Sequence, residues 1–284
     1  IAFSAEVREI LLDRNQRAVG VRMADGRELR AATVISDAGA GNTFATLLPP
    51  LAPGVAPALA ELRTVPSSMA HLCLYAGTKQ SAAELGLTGT NLWVHPTPDH
   101  DANLARFTSD PSAPLPMLFI SSPSAKDPDF ERRHPGRATL EVICPAPYDW
   151  FARWEDSRWK RRGKDYDDFK QMLTERLRSA LEQHVPAVRG KLDVAELSTP
   201  LSTRHFMNYQ HGEAYGASAT PARFRLRCLT PQTSVRNLYL TGQDVCLLGI
   251  TGALMGGVVT ASAVLGRNLM SVVSQPERQS QMAA

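Results

Sequence analysis

Residue types suited to chemistry gather in two stretches of the 284-residue chain. His205, His211, Glu213 and Tyr215 are four groups able to give or take a proton, crowded into the run that precedes the second stretch. Proton transfer in a reaction requires a titratable side chain within reach of the reacting atom, and each of these types can serve. A packing or surface role remains the plainer reading of each. The second stretch is Asn237-Leu238-Tyr239-Leu240-Thr241-Gly242-Gln243-Asp244, followed by Leu248-Gly249-Ile250-Thr251-Gly252-Ala253-Leu254-Met255-Gly256-Gly257. Leu238 to Leu240 reads as a short buried strand that stops at a glycine. Asp244 then lies just outside its carboxyl end. A small-residue helix is expected from about Thr251 to Leu269, with Leu254, Val258, Ala261 and Leu265 at helical spacing. A strand, a glycine turn, a carboxylate and a glycine-opened helix are the parts from which α/β sheets build ligand sites at their carboxyl edge. Gly249 and Gly252 let a ligand approach the backbone, and the first helical N–H groups carry partial positive charge without an intrahelical partner.

Two plainer readings of that stretch stay open. Every α/β domain contains strand-turn-helix units. A membrane span is the other: no charged residue occurs from Val245 to Gly266, close to the ~20 residues a bilayer helix needs. Five glycines and three hydroxyl residues weaken it, and a helix opening at Thr251 leaves too short an apolar run.

The elements that must hold these residues are of mixed type. Glu6–Leu12, Ala18–Ala24 and Arg27–Ala31 are predicted as a three-strand meander, with Asp25-Gly26 as a two-residue hairpin turn. Thr33–Ser36 is a fourth, buried strand running into Asp37-Ala38-Gly39-Ala40-Gly41-Asn42-Thr43-Phe44. Phe44 occupies the third glycine position of a G-x-G-x-x-G fingerprint, so that motif is not met here or elsewhere. A short helix is expected over Thr43–Leu48, then a Pro/Ala/Ser-rich crossing to about Ser67. Ser68–Ala76, Leu92–His95, Met117–Ser121 and Thr139–Ile143 alternate as strands do. Asp165–His184 reads as a helix buried along Phe169, Leu173, Leu177 and Leu181, and ended by Pro186. The middle region is therefore expected to be a sheet with helices on one side.

Composition excludes several classes. The apolar fraction of 43% is that of a globular chain, and a net charge of +3 is too small to argue for nucleic acid. Cys73, Cys144, Cys228 and Cys246 have no paired spacing, so neither a zinc site nor a disulfide frame is indicated, no metal is expected, and a reducing, cytoplasmic setting fits. Lys160-Arg161-Arg162-Gly163-Lys164 beside Trp150, Phe151, Trp154 and Trp159 is read as a solvated charge run on a packed aromatic segment, with peripheral membrane docking as the sharper alternative. The chain opens at Ile1 directly into strand-like sequence, which reads as a fragment whose beginning is missing.

Taken together, a series of blocks resembles the retinol saturase branch of the phytoene desaturase and carotenoid isomerase flavoproteins. They are Val34-Ile35-Ser36-Asp37-Ala38-Gly39 with Asn42-Thr43-Phe44 and Leu47-Leu48-Pro49; Pro123-Ser124-Ala125-Lys126-Asp127-Pro128 with Pro135-Gly136-Arg137; and Tyr148-Asp149-Trp150-Phe151 with Trp154. Arg162-Gly163, Asp165-Tyr166, Phe169-Lys170, Thr199-Pro200-Leu201-Ser202, Ala214-Tyr215-Gly216, and the Leu238-to-Asp244 stretch with Gly252-Ala253-Leu254 continue the series. Their order and spacing distinguish this branch from amine oxidases.

The resemblance implies the C-terminal part of a two-domain FAD-dependent oxidoreductase, truncated at the N-terminus and without the Rossmann βαβ unit that grips the ADP half of FAD. It divides the chain into 1–48 (part of the FAD-binding domain), 49–233 (substrate domain) and 234–284 (flavin-contacting strand and helix). It implies chemistry on the double bonds of a lipophilic isoprenoid polyene, by saturation, desaturation or redox-neutral isomerisation, with an unidentified electron partner. The fragment alone is expected to be inactive; a lipid-binding remnant of the fold is the non-enzymatic alternative. The amides of Gly249, Ile250, Thr251, Gly252 and Ala253 would then face the flavin ring, and Gly242, Gln243 and Asp244 its ribityl chain. Asp37, Ala38 and Gly39 would lie near the nucleotide. Tyr215 becomes the first candidate proton donor, because its motif matches the family, with His211 and Glu213 behind it.

Overall fold

The computed structural model describes residues 1–273. The fold is mixed α/β and divides into two compact units: Ile1–Ser68 with the described part of Tyr215–Ala284, and Met69–Ala214.

In the first unit, β1 (Val7–Leu12), β2 (Ala18–Met23) and β3 (Glu28–Arg30) form an antiparallel meander in that order. The turn between β2 and β3 is one residue longer than the sequence reading had it. The Met23 N–H donates to the Arg27 carbonyl and the Gly26 N–H to the Met23 carbonyl, so Ala24, Asp25 and Gly26 make the loop, and Gly26 alone has positive φ. Such three-residue loops place a glycine in the left-handed region at their last position.

After β4 (Val34–Ser36) the chain makes one helical turn, Ala40–Asn42, and continues as a π-helical turn, Thr43–Leu47, in place of the regular helix expected there. Side chains hold this segment. The Thr43 hydroxyl donates to the Gly39 carbonyl at 2.8 Å and shares a hydrogen bond with the Ser36 hydroxyl, and the Asn42 amide donates to the Ala38 carbonyl. The Pro/Ala/Ser-rich stretch that follows is not wholly a crossing, because it contains the helix Val55–Leu62. Val55 and Ala58 join a core with Ile10, Ala18, Phe44, Leu229, Leu238 and Leu240.

The second unit holds five antiparallel strands: β5 (Ala70–Thr78), β6 (Leu92–Val94), β7 (Leu118–Ser121), β8 (Ala138–Ala146) and β9 (Leu192–Ser198), in spatial order β6-β7-β8-β5-β9. Along β8 burial alternates strictly, with Ala138, Leu140, Val142, Cys144 and Ala146 inside. The helix Lys164–His184 buries Leu173, Leu177 and Leu181 in the same core. Phe169 is half-buried and stacks on Trp154, with ring centroids 5.9 Å apart. Phe151 and Trp154 are buried, so most of the Trp-rich segment is core.

The chain returns to the first unit, where β10 (Leu238–Leu240) pairs in parallel with β4, Leu238 opposite Val34 and Leu240 opposite Ser36. The last long helix runs Gly249–Leu265, starting and ending earlier than its periodicity suggested. Its inner stripe is Gly252, Gly256 and Thr260, while Leu254 and Leu265 face outward. The large apolar residues at helical spacing thus mark the wrong face, for a reason visible at the strand end. Gly256 lies so close to the Gly242 carbonyl that a side chain there would collide with it, and the Thr260 hydroxyl donates to the Leu240 carbonyl at 2.8 Å. Among the described residues no helix is long and apolar enough to cross a membrane.

Candidate functional site

Parallel pairing brings the carboxyl ends of β4 and β10 side by side, and with them two short loops, Asp37-Ala38-Gly39 and Gly242-Gln243-Asp244. Gly242 has φ of 82°, and a Cβ there would collide with the Asp37 carboxylate. A side chain at this position is therefore excluded twice, by conformation and by space. The collision also shows that the Asp37 carboxylate lies across the Gly242 turn. Burial and the negative charge of Asp244 raise the Asp37 carboxyl above the usual carboxylate range.

Asp244 is enclosed, only 7% exposed. Its Oδ2 accepts the Ala40 N–H at 2.7 Å, tying one strand-end loop to the other, and its Oδ1 lies 3.5 Å from Arg223 Nη2. Arg223 is 2% exposed and donates further to the Gln243 carbonyl at 2.7 Å and to the Ala217 carbonyl. Charged side chains are almost never buried this fully unless paired. The sequence reading passed over Arg223, one of many arginines with no motif around it; only its proximity in space to Asp244 marks it.

Tyr215 belongs to the same neighbourhood. Its N–H donates to the Ser68 hydroxyl at 2.8 Å, and the Gly216 carbonyl accepts the Ser68 N–H at 2.7 Å. Gly216, at φ of 63°, packs on the Asp244 carboxylate so closely that a Cβ would lie 2.8 Å from Oδ1. The Tyr215 side chain is 44% exposed.

The start of the last helix completes this edge. No side chain caps it and no acidic residue occupies its first turn. Ile250 is 83% exposed, Thr251 is exposed, and a Cβ on Gly249 would meet nothing within 4 Å. This helix start is not packed under ordinary side chains. A first turn of this kind offers backbone N–H donors and partial positive charge to an electron-rich group. Asp37 through Gly39, Gly242 through Asp244, Gly249 through Ala253 and Tyr215 thus all lie in the first unit, on strand ends and loops joined by named contacts or by a few residues of chain.

The other proton-transfer candidates belong to the second unit. The Glu213 carboxylate is buried and accepts the His211 N–H at 2.8 Å. The His211 ring meets Tyr148 edge-on at 5.4 Å, and the Tyr148 hydroxyl donates to Glu155 at 2.6 Å while receiving Arg204 at 2.6 Å. Burial first, then its bond to Glu155, pushes the Tyr148 hydroxyl up to about 12. His205 stacks on Trp159, the rings 4.7 Å apart and nearly parallel. Among the described residues no group of three or more metal-ligating side chains converges.

The first-unit edge presents groups suited to the polar rim of a flat cofactor. The backbone is open at Gly249, a carboxylate stands at Asp37 and the uncapped helix start supplies donors, whereas the space beside Gly242 is taken by the Asp37 carboxylate itself.

Comparison with known proteins places these residues in context. The chain is 36% identical over 281 residues to human (Homo sapiens) all-trans-retinol 13,14-reductase, covering 94% of this chain and 45% of that protein. It is 34% identical over 275 residues to the zebrafish (Danio rerio) enzyme of that name, covering 93% and 45%. Phytoene desaturase (lycopene-forming) from Paracoccus sp. is 27% identical over 259 residues, covering 88% and 47%. The chain therefore spans about half the length of the curated relatives it matches. No family model matches it. Among solved structures, a putrescine oxidase variant redesigned in its cofactor binding aligns with a TM-score of 0.52 at 14% identity, over 93% of this chain and 49% of that one. At that identity the likeness speaks for the fold alone.

Proposed function

Because this chain is a homologue of the all-trans-retinol 13,14-reductases along nearly its whole length, we propose that it is part of an FAD-dependent oxidoreductase acting on carbon–carbon double bonds of a retinoid- or carotenoid-like polyene. The observation that carries this reading is the open edge where β4 and β10 end in parallel beside an uncapped, glycine-started helix. Bound FAD would supply hydride transfer, which is the cofactor's own chemistry. The chain's residues would hold and tune it. Because the helix opens at Gly249, the amides of Gly252 and Ala253 fall within its hydrogen-bond ladder. It is those of Gly249, Ile250 and Thr251 that would favour negative charge on the ring, an effect worth roughly 0.3–1 kcal/mol when exposed and up to ~2 kcal/mol when partly buried. That magnitude adjusts a potential and does not by itself make a reaction. Asp37 would accept hydrogen bonds from sugar hydroxyls, while the enclosed Asp244 would act as the tie between the two loops.

Saturating a double bond also needs a proton, and Tyr215 is the proposed source. Its backbone is fixed on both sides while its side chain stays accessible. Replacing Tyr215 with Phe in the full-length protein should lower turnover and change its pH profile while leaving FAD binding intact. Unchanged turnover and profile would remove Tyr215 from the mechanism.

Lipid contact forms part of the same proposal. Trp159, His205 and Phe206 make an aromatic cluster with Phe206 68% exposed, beside exposed Arg158, Lys160 and Arg161. Aromatic and basic side chains both favour a membrane interface. Anionic vesicles should sediment the protein, and Phe206→Ser should weaken that; a protein left wholly in solution would end this part of the reading.

A further inference from the structure

We infer that Arg223 positions the cofactor edge, binding the Asp244 carboxylate and the Tyr215–Ala217 segment into one piece at the ends of β4 and β10. The inference rests on the flavin reading above and adds a residue that no motif marks.

Two segments meet at this guanidinium and a third is reached through Asp244. Its Nη1 donates to the Ala217 carbonyl, and its Nη2 donates to the Gln243 carbonyl at 2.7 Å and faces Asp244 Oδ1 at 3.5 Å. The opposite carboxylate oxygen holds the Ala40 N–H. Gly216, one residue before Ala217, presses on Oδ1 from another side, and Ser68 fixes the two residues at Tyr215 and Gly216. Arg223 thus stands between a candidate proton donor and both strand-end loops. With Arg223 2% and Asp244 7% exposed, neither charge is paired with bulk water. Asp37 adds a second carboxylate across Gly242 that already feels the Asp244 charge, so removing the cation takes away the positive partner from a pair of negative groups. Breaking one partner of a buried pair strands the other, which is far costlier than losing both. A planar fork can serve two carbonyls and a carboxylate at once; a lysine ammonium, with its compact charge on a flexible stem, lacks that fixed geometry.

The test compares Arg223→Lys, Arg223→Met, Asp244→Asn and the double variant Arg223→Met/Asp244→Asn. FAD affinity would be followed in the full-length protein by quenching of flavin fluorescence, and thermal midpoints measured without FAD. The expected result is at least tenfold weaker FAD binding for Arg223→Met and a smaller loss for Arg223→Lys. In the double variant the midpoint should recover most of what Arg223→Met lost, because no charge is stranded, while FAD binding should stay weak. FAD binding by Arg223→Met equal to that of the unaltered chain would overturn the positioning role. Midpoint losses that merely add would overturn the tie itself. Should the unaltered full-length protein bind no FAD, the flavin reading fails together with the positioning role, and the midpoints still decide whether Arg223 and Asp244 act as a pair.

Discussion

Asp37 and Asp244 follow two adjacent strands and carry the same charge, yet they do different work. Asp244 is enclosed and hydrogen-bonded on both oxygens, so it joins backbone segments. Asp37 is exposed as a residue, but its carboxylate lies against the Gly242 turn, and that partial desolvation, then the charge of Asp244, raises it. An acid whose folded pKa lies above its unfolded value binds protons more readily when folded, so stability falls as pH rises through that window. Asp37→Asn should therefore raise the thermal midpoint at neutral pH, and the gain should disappear below the ordinary carboxylate range near ~4. A gain that persisted in acid would mean that the charge is not its origin. The same substitution should weaken FAD binding, since an amide accepts hydroxyl hydrogen bonds less strongly than a carboxylate does. At Gly216 the constraint is steric. Gly216→Ala combines a strained backbone with a Cβ pressed on Asp244, and it should lower the midpoint and displace Tyr215 together.

At the level of elements, the last helix shows how a sequence can be right about an element and wrong about its face. Periodicity found the helix, but hydrophobicity pointed to Leu254 and Leu265, which lie outside. The inner stripe is set by close approach, of Gly256 and Thr260 to the end of β10 and its turn and of Gly252 to the Leu247 backbone, and close approach selects small residues without leaving an apolar signal. Gly256→Val should cost about 1–3 kcal/mol in chemical denaturation, the usual range for overpacking. A loss within error would show that the helix can move off the turn freely. In the second unit the alternation of β8 and the four-residue spacing of Leu173, Leu177 and Leu181 were legible, because one face of each is simply buried. Leu177→Ala should cost about 2–5 kcal/mol there. β9 and the helices His100–Ser109 and Pro200–Met207 were not read from the sequence. Their burial is partial and their polar residues frequent, so neither period stands out. Arg223 was illegible for a related reason: a buried cation announces itself only through a partner distant in sequence.

For the whole molecule, two compact units each possess a core, one built around Ile10, Phe44 and Leu238, the other around Leu72, Leu140 and Leu177. The candidate cofactor edge lies entirely in the first. Its parallel pair has only two strands, and two-stranded sheets are marginal alone, so the surrounding loops, the Arg223–Asp244 tie and the last helix carry much of its definition. The chain matches about 45% of the length of the retinol reductases, and activity toward a polyene is a property to be measured on a polypeptide of their full length. The most direct measurement is flavin content. That polypeptide, purified without added cofactor and then titrated with FAD, should carry or take up about one equivalent with a protein-perturbed visible spectrum, and Asp37→Asn and Arg223→Met should each weaken the uptake. A folded protein that takes up no FAD, or one whose flavin is indifferent to both substitutions, would contradict the assignment of this edge.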